Sequence, residues 1–228
     1  MNFTFGIITT GNSDDNLNLI IDSIESQNIS EYEIIIIGNS NVNRKNTFII
    51  PFDETIKDAW ITRKKNLITI NSKYENVVYT HDYVLFEPGW YEGYLRFGNN
   101  FKVCMNKIVN PDNTRITDWV IWPHNENFMD DIVLPTRECL IPYDMNHLSK
   151  YMYISGTYWV AKNEVMKEFP LNESLSWGES EDVDWSKRVR NKYEFSINSY
   201  STVKTLKYKY KHFNEAKNNI LIELEAVK

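Results

Sequence analysis

At 228 residues, with 42% hydrophobic and 14% aromatic residues, the chain suffices for one large, well-filled domain. Its net charge of −6 argues against a dedicated nucleic-acid binder, which needs a basic surface for phosphates. Cys104 and Cys139 show no metal-type spacing and support no disulfide framework. MNFTFGIITTGN lacks a basic, apolar leader, and no apolar run approaches the roughly 18 residues of a membrane span, so a soluble, cytoplasmic chain without a transmembrane segment is expected.

In chain order, FTFGIITT (3–10) is a β-rich run closed by the turn residues Gly11, Asn12 and Ser13. Ser13 or Asp14 can cap a helix that carries Leu17, Ile20, Ile21 and Ile24 at helical spacing. EYEIIIIG (31–38) is a continuous apolar run of the kind found in parallel strands buried on both faces. A more polar stretch, 57–73, reads as helical with Trp60, Leu67 and Ile68 as its inner face, and VVYT (77–80) is a third strand. This βαβαβ order predicts an α/β fold with a mostly parallel, Rossmann-like central sheet flanked by helices, in a single domain.

The second half is less regular. Residues 88–98 form a short helix, while 101–109 and 153–161 read as strands. Residues 110–150 show no periodicity, and a long irregular segment of that kind is more often a functional loop than a plain connector. Helices are expected over 163–169 and 181–190, then a lysine-rich strand over 202–210 and a terminal amphipathic helix bearing Ile220, Leu221 and Leu224.

Three familiar signatures are missing: a Gly-x-Gly-x-x-Gly turn after the first strand, a Walker A loop, and a nucleophile elbow around Ser155. What remains is a set of carboxylates. Thr80-His81-Asp82 closes a strand, where open α/β sheets collect ligands, although an Asp there also suits an ordinary turn. In LSWGESEDVDWSKRVR (175–190) acids start a helix and bases end it, which complements the helix dipole. The same acids beside a Trp-Gly turn also suit a general base that takes a proton from a bound hydroxyl.

SWGESEDVDWSKR resembles the Glu-Asp motif of inverting glycosyltransferases with the GT-A fold, both of family 2 and of the β-1,4-galactosyltransferases with their Trp-Gly…Glu-Asp stretch. The resemblance makes Asp182 the catalytic base and gives Glu181 the acceptor sugar, with Trp177 and Gly178 beside it. Thr80-His81-Asp82 is similar to the Asp-x-Asp of these enzymes, with Thr80 in place of the first Asp and Asp82 on the metal ligand. IITTGN (7–12) resembles the first strand and nucleotide loop, which assigns Thr9, Thr10 and Asn12 to the donor. EIIIIGNS (33–40) resembles the second strand without its usual Asp, so Asn39 or Asp53 stands in. TRKKNLI (62–68) resembles an Ala-Arg-Asn segment, with Arg63 and Lys65 as donor-site cations, and His81 and Gly156 complete the donor set. YKHFNEAKNN (210–219) is similar to a late loop whose His binds metal, which makes His212 a partner of Asp82.

Together these matches, spread over residues 3–215, imply transfer of a sugar from a nucleotide-diphosphate donor, by default a UDP-sugar, to a hydroxyl of a glycan or other acceptor. An Asp oxygen, an imidazole nitrogen and two phosphate oxygens suit Mn²⁺ or Mg²⁺. Residues 1–98 would form the nucleotide-sugar half and 99–228 the acceptor and catalytic-base half. His124 and His147 read as surface or acceptor-loop residues, and Trp119, Trp122 and Trp159 as core. Two rival readings are a sugar nucleotidyltransferase, disfavoured by the absence of Lys or Arg in IITTGNSDDN, and a non-catalytic binding protein derived from a transferase.

Overall fold

All six residues of β1, Phe3–Ile8, are buried, and its two neighbours explain why. In the computed structural model of the chain, β1 pairs in parallel with β2, Tyr32–Ile37, on one side and with β4, Asn76–His81, on the other. A central strand of this kind has no solvated face, so its sequence runs apolar instead of alternating. The structure describes residues 1–121, 139–140, 142–144, 146, 149 and 152–209.

β3, Thr47–Ile50, extends the sheet beyond β2. The other half is built by β5, Val84–Phe86, and β6, Val103–Val109. β7, Val120–Ile121, and β8, Cys139–Leu140, form a separate antiparallel pair within the stretch expected to be irregular. β9, Tyr158–Lys162, and β10, Phe195–Thr205, then close an eight-stranded sheet in the order β3-β2-β1-β4-β9-β6-β10-β5. Only β9 and β5 oppose the common direction, so the sheet is mostly parallel, as predicted. No helix among the described residues is long and apolar enough to cross a membrane.

The helices follow the expected pattern with instructive departures. α1, Asp14–Glu25, buries Leu17, Ile20, Ile21 and Ile24. Its cap differs from expectation: Ser13 makes no side-chain cap, and Asp14 instead accepts from Ser40 Oγ at 2.7 Å and from Asn41 N at 3.2 Å, tying the helix start to the loop after β2. α2, Ile61–Asn71, lies so close to β1 that a Cβ on Gly6 would sit 2.2 Å from Ile68 Cγ2. Of its predicted inner face only Ile68 is fully inside, whereas Trp60 and Leu67 are half-buried. Lys64 and Lys65 are buried as well, among Ile61, Thr62, Asn66 and Thr69. Their aliphatic stems pack inside while each ammonium meets a backbone carbonyl at a strand end, a partner that hydrophobic periodicity does not reveal.

α3, Trp90–Phe97, seats Trp90 and Tyr94 among Phe3, Phe5 and Phe86 with ring centroids 4.6–5.4 Å apart, so much of the aromatic content is core. Trp119 and Trp159 are likewise fully buried, as read from the sequence. α4, Asn163–Glu168, and α5, Glu181–Arg190, lie where the sequence put them. Two strands do not. In 153–161 only the last part is strand, because Ser155–Thr157 turn the chain ahead of β9. The final strand starts at Phe195, earlier than 202, and ends at Thr205; the polar run SINSY conceals it by pairing with β6 before and after a register shift between Asn198 and Thr202. The expected terminal helix lies outside the described residues.

Candidate active site

β1 and β4 run side by side, so their carboxyl ends deliver Thr9 and Asp82 to one place. Thr9 Oγ1 donates to Asp82 Oδ2 at 2.6 Å and accepts from Gly11 N at 3.1 Å, and Asp82 N donates to Ile8 O at 3.2 Å. Beyond Thr9 an open cavity of about 740 Å³ lies between the loops that follow β1 and β2. Thr10, Asn12 and Asn39 line it, along with Asp14, Asp15 and Ile49. Gly38 permits this loop pair, since a Cβ on it would lie 2.3 Å from Thr9 O. Asp53 does not line the cavity; its carboxylate accepts from Thr55 N and Thr55 Oγ1.

A second cluster forms around the turn at Gly156. Its carbonyl accepts from Lys65 Nζ at 2.8 Å and from His81 Nε2 at 3.1 Å, while its N–H donates to Asp182 Oδ2 at 2.8 Å. Asp182 Oδ1 accepts from Val183 N at 2.9 Å, which fixes the carboxylate at the start of α5. Ser180, at φ 59, turns the chain sharply into that helix. The space beside Gly156 is filled: a Cβ there would stand 3.0 Å from both Asp182 Oδ2 and Glu181 Oε1. Four of the residues singled out from sequence, Lys65, His81, Glu181 and Asp182, therefore converge on Gly156.

Burial governs the charges here. It pushes the Lys65 ammonium down from the usual lysine value, and the Glu181 and Asp182 carboxylates counter the shift. Lys65 also lies over the Trp159 ring, 4.5 Å from its centroid. Burial and the nearby Asp182 raise the Glu181 carboxyl, against the pull of Lys65. Burial, followed by Lys65 and Lys209, drives the His81 imidazole well below its ordinary value. Burial thus favours the neutral ring, whose Nε2–H donates to Gly156 O, and the ring stacks on Tyr83 at 5.1 Å.

Other predicted residues lie apart from this cluster. Arg63 pairs with Glu173 at 3.1 Å. Trp177 is 67% exposed in the turn before α5, where Gly178 takes φ 82 and Trp177 N donates to Ala59 O at 3.1 Å. Thr80 Oγ1 is buried and has no hydrogen-bond partner among the described residues. His212, His124, His147 and Trp122 lie outside the described residues. Sequence reasoning missed Lys64, which donates to Thr9 O at 2.8 Å and pairs with Glu54. It also missed Lys209, read only as part of an alternating lysine-tyrosine face.

For a divalent metal, Asp82 is the relevant donor. Thr9 takes its Oδ2, and Oδ1 accepts no hydrogen bond among the described residues. Among those residues no three His, Cys, Asp or Glu side chains cluster as a complete ligand set. Mg²⁺-type ions at phosphate sites use one or two carboxylates and complete their shell with phosphate and water, so a lone carboxylate with an open oxygen fits such an ion.

No family model matches the sequence, and no curated protein sequence matches it. Solved structures do match. The Staphylococcus aureus TarS fragment 1–349 aligns with a TM-score of 0.60 and 11% identity over 89% of this chain and 60% of that one. The same fragment in complex with UDP-GlcNAc aligns over the whole of this chain and 65% of that one, again with a TM-score of 0.60 and 11% identity. GalNAc-T7 with UDP, GalNAc and Mn²⁺ gives a TM-score of 0.64 and 14% identity over 92% of this chain and 44% of that one. The chain thus spans less than two thirds of each of these proteins, and what it shares with them is their fold.

Proposed function

We propose that the chain is a GT-A-type inverting glycosyltransferase that moves a sugar from a nucleotide-diphosphate donor to a hydroxyl of a glycan or other acceptor. The observation that carries this reading is the Gly156 turn. It joins the carboxylate of Asp182, on α5, to the end of β4, where Asp82 is bonded through Thr9 to the loop that lines an open cavity of about 740 Å³, in which a nucleotide would lie. The likeness to structures bound to UDP-GlcNAc and UDP favours uridine as the nucleoside. Thr9, Thr10, Asn12 and Asn39 would hold the nucleotide, and Trp177 with Gly178 would offer an aromatic face to an acceptor sugar. Residues 1–98 would then serve the donor and 99–228 the acceptor and the base.

In this reading Asp182 takes the proton of the acceptor hydroxyl as that oxygen attacks the anomeric carbon. The bond from that carbon to the diphosphate oxygen breaks on the opposite face, its electron pair leaves with the nucleotide, and the configuration inverts. The two backbone N–H groups on Asp182 hold its carboxylate in one orientation, so the base is already aimed. Glu181, with its carboxyl raised by burial, would bind an acceptor hydroxyl beside it. A divalent ion, Mn²⁺ or Mg²⁺, would sit on Asp82, with His212 as the second ligand implied by resemblance, and would offset the charge on the leaving diphosphate. Exchange of Asp182 for Asn preserves shape and removes the base. Turnover of UDP-sugar is expected to fall by about a hundredfold or more while UDP affinity holds. Unchanged turnover would overturn the assignment of Asp182.

The rival reading, a binding protein without turnover, draws on the buried Thr80, whose Oγ1 has no hydrogen-bond partner among the described residues, where an acid would serve the donor. UDP binding with no transfer from any UDP-sugar by the wild type would favour it.

A further inference from the structure

The segment that follows β10 continues its antiparallel course along β5 to Tyr83, the residue after Asp82. Leu206 N donates to Tyr83 O at 2.8 Å, and Lys209 N donates to Asn110 Oδ1 at 2.8 Å, so the backbone between them is pinned at both ends. Lys209 Nζ donates to Tyr83 OH and to Thr157 Oγ1, the latter at 3.2 Å. Those two partners adjoin Asp82 and Gly156, the residues around which the candidate site is built. An ammonium has three donors. Two are used here, and among the described residues no carboxylate lies within ion-pair distance of Lys209. Lys207 approaches the same Tyr83 ring from solvent, 4.4 Å from its centroid, while Lys209 lies 4.2 Å from it.

Two ammonium groups over one ring repel each other. Burial, together with Lys207 and Lys65, lowers the Lys209 ammonium to about 8. The molecule as a whole is acidic, so this local excess of positive charge is not a feature of a basic surface. From this placement we infer that Lys207 and Lys209 form a cationic clamp for the diphosphate of the donor, making part of nucleotide affinity a property of the protein and independent of any divalent ion. The inference rests on the donor reading above, but its probe need not be a nucleotide.

The test is calorimetric titration of UDP and of inorganic pyrophosphate, in EDTA, into the wild type, Lys209→Met and Lys209→Gln, with melting temperatures confirming that each variant folds. Lys209→Gln retains hydrogen bonding to Tyr83 and Thr157 without the charge, and serves if the methionine variant does not fold. Loss of one charge-assisted contact is expected to weaken both ligands about tenfold or more. Lys209→Arg is expected to retain most of the affinity. Equal binding of UDP by the wild type and by the neutral variants would overturn the clamp and leave the donor reading standing. Pyrophosphate binding that depends on Lys209, with no UDP binding, would uphold the clamp and overturn uridine as the nucleoside. Failure of the wild type to bind either ligand in EDTA would overturn the clamp; UDP binding restored by Mn²⁺ would then keep the donor reading.

Discussion

Gly156 carries more of the candidate site than its absent side chain suggests. Its carbonyl orders Lys65 and His81, its N–H orders Asp182, and its bare Cα leaves room for two carboxylates at 3.0 Å. Gly156→Ala therefore forces the start of α5 or the turn to shift by a few tenths of an ångström. Because a small misplacement of a catalytic group is costly, turnover is expected to fall by about tenfold to a hundredfold with UDP affinity much less affected. Steady-state kinetics alongside calorimetry checks this; unchanged turnover would show that the turn tolerates a methyl. At this scale the sequence was informative where chemistry is compact. Glu181 and Asp182 of SWGESEDVDWSKR stand together in the chain and in space, and a strand-ending Asp82 is visible as such. Arg63 was not readable in the same way, because its partner Glu173 lies 110 residues away. Lys209 was hidden for a different reason: alternating Lys and Tyr describe a solvated strand face and a half-buried cation equally well.

Among the elements, α2 shows how a close approach sets chemistry. Gly6 lets the helix lie directly on β1, and Ile68 fills the space where a side chain would be, 2.2 Å from a Cβ. That contact brings Lys64 and Lys65 to the carboxyl ends of the strands, where they find Thr9 O and Gly156 O. Gly6→Val adds bulk that the packed helix cannot absorb and is expected to destabilise the fold by about 1–3 kcal/mol, read as a lower midpoint in denaturant unfolding. A variant as stable as the wild type would mean that α2 shifts freely on the sheet. The helical period gave the extent of α2 within a few residues but misjudged its inner face, because buried lysines satisfied by carbonyls look like solvent-facing ones in a hydrophobic pattern. β3 and β5 escaped notice because both are short edge strands, four and three residues long.

Over the whole molecule, a parallel half-sheet built from β1, β2 and β4 was implied by alternating strands and helices with right-handed crossovers, while β3 at its edge was not. The remainder was not. β9 pairs antiparallel with β4, placing Trp159 opposite Tyr79, and it brings the Gly156 turn to the end of the first half of the sheet. No local pattern announces a pairing over that span. The cavity after β1 and β2 belongs to the first half of the chain, while Asp182 and Lys209 belong to the second and meet the turn at Gly156 and Thr157. A donor bound across this junction should therefore depend on Asp82, whose Oδ2 is held by Thr9 and whose Oδ1 accepts no hydrogen bond among the described residues. The most direct measurement is calorimetric titration of UDP into the wild type and Asp82→Ala, each with and without Mn²⁺. We expect the wild type to bind UDP more tightly with Mn²⁺, and Asp82→Ala to lose that gain, a drop of about tenfold or more. UDP binding that responds neither to Mn²⁺ nor to the loss of Asp82 would contradict a metal-assisted diphosphate site at the end of β4.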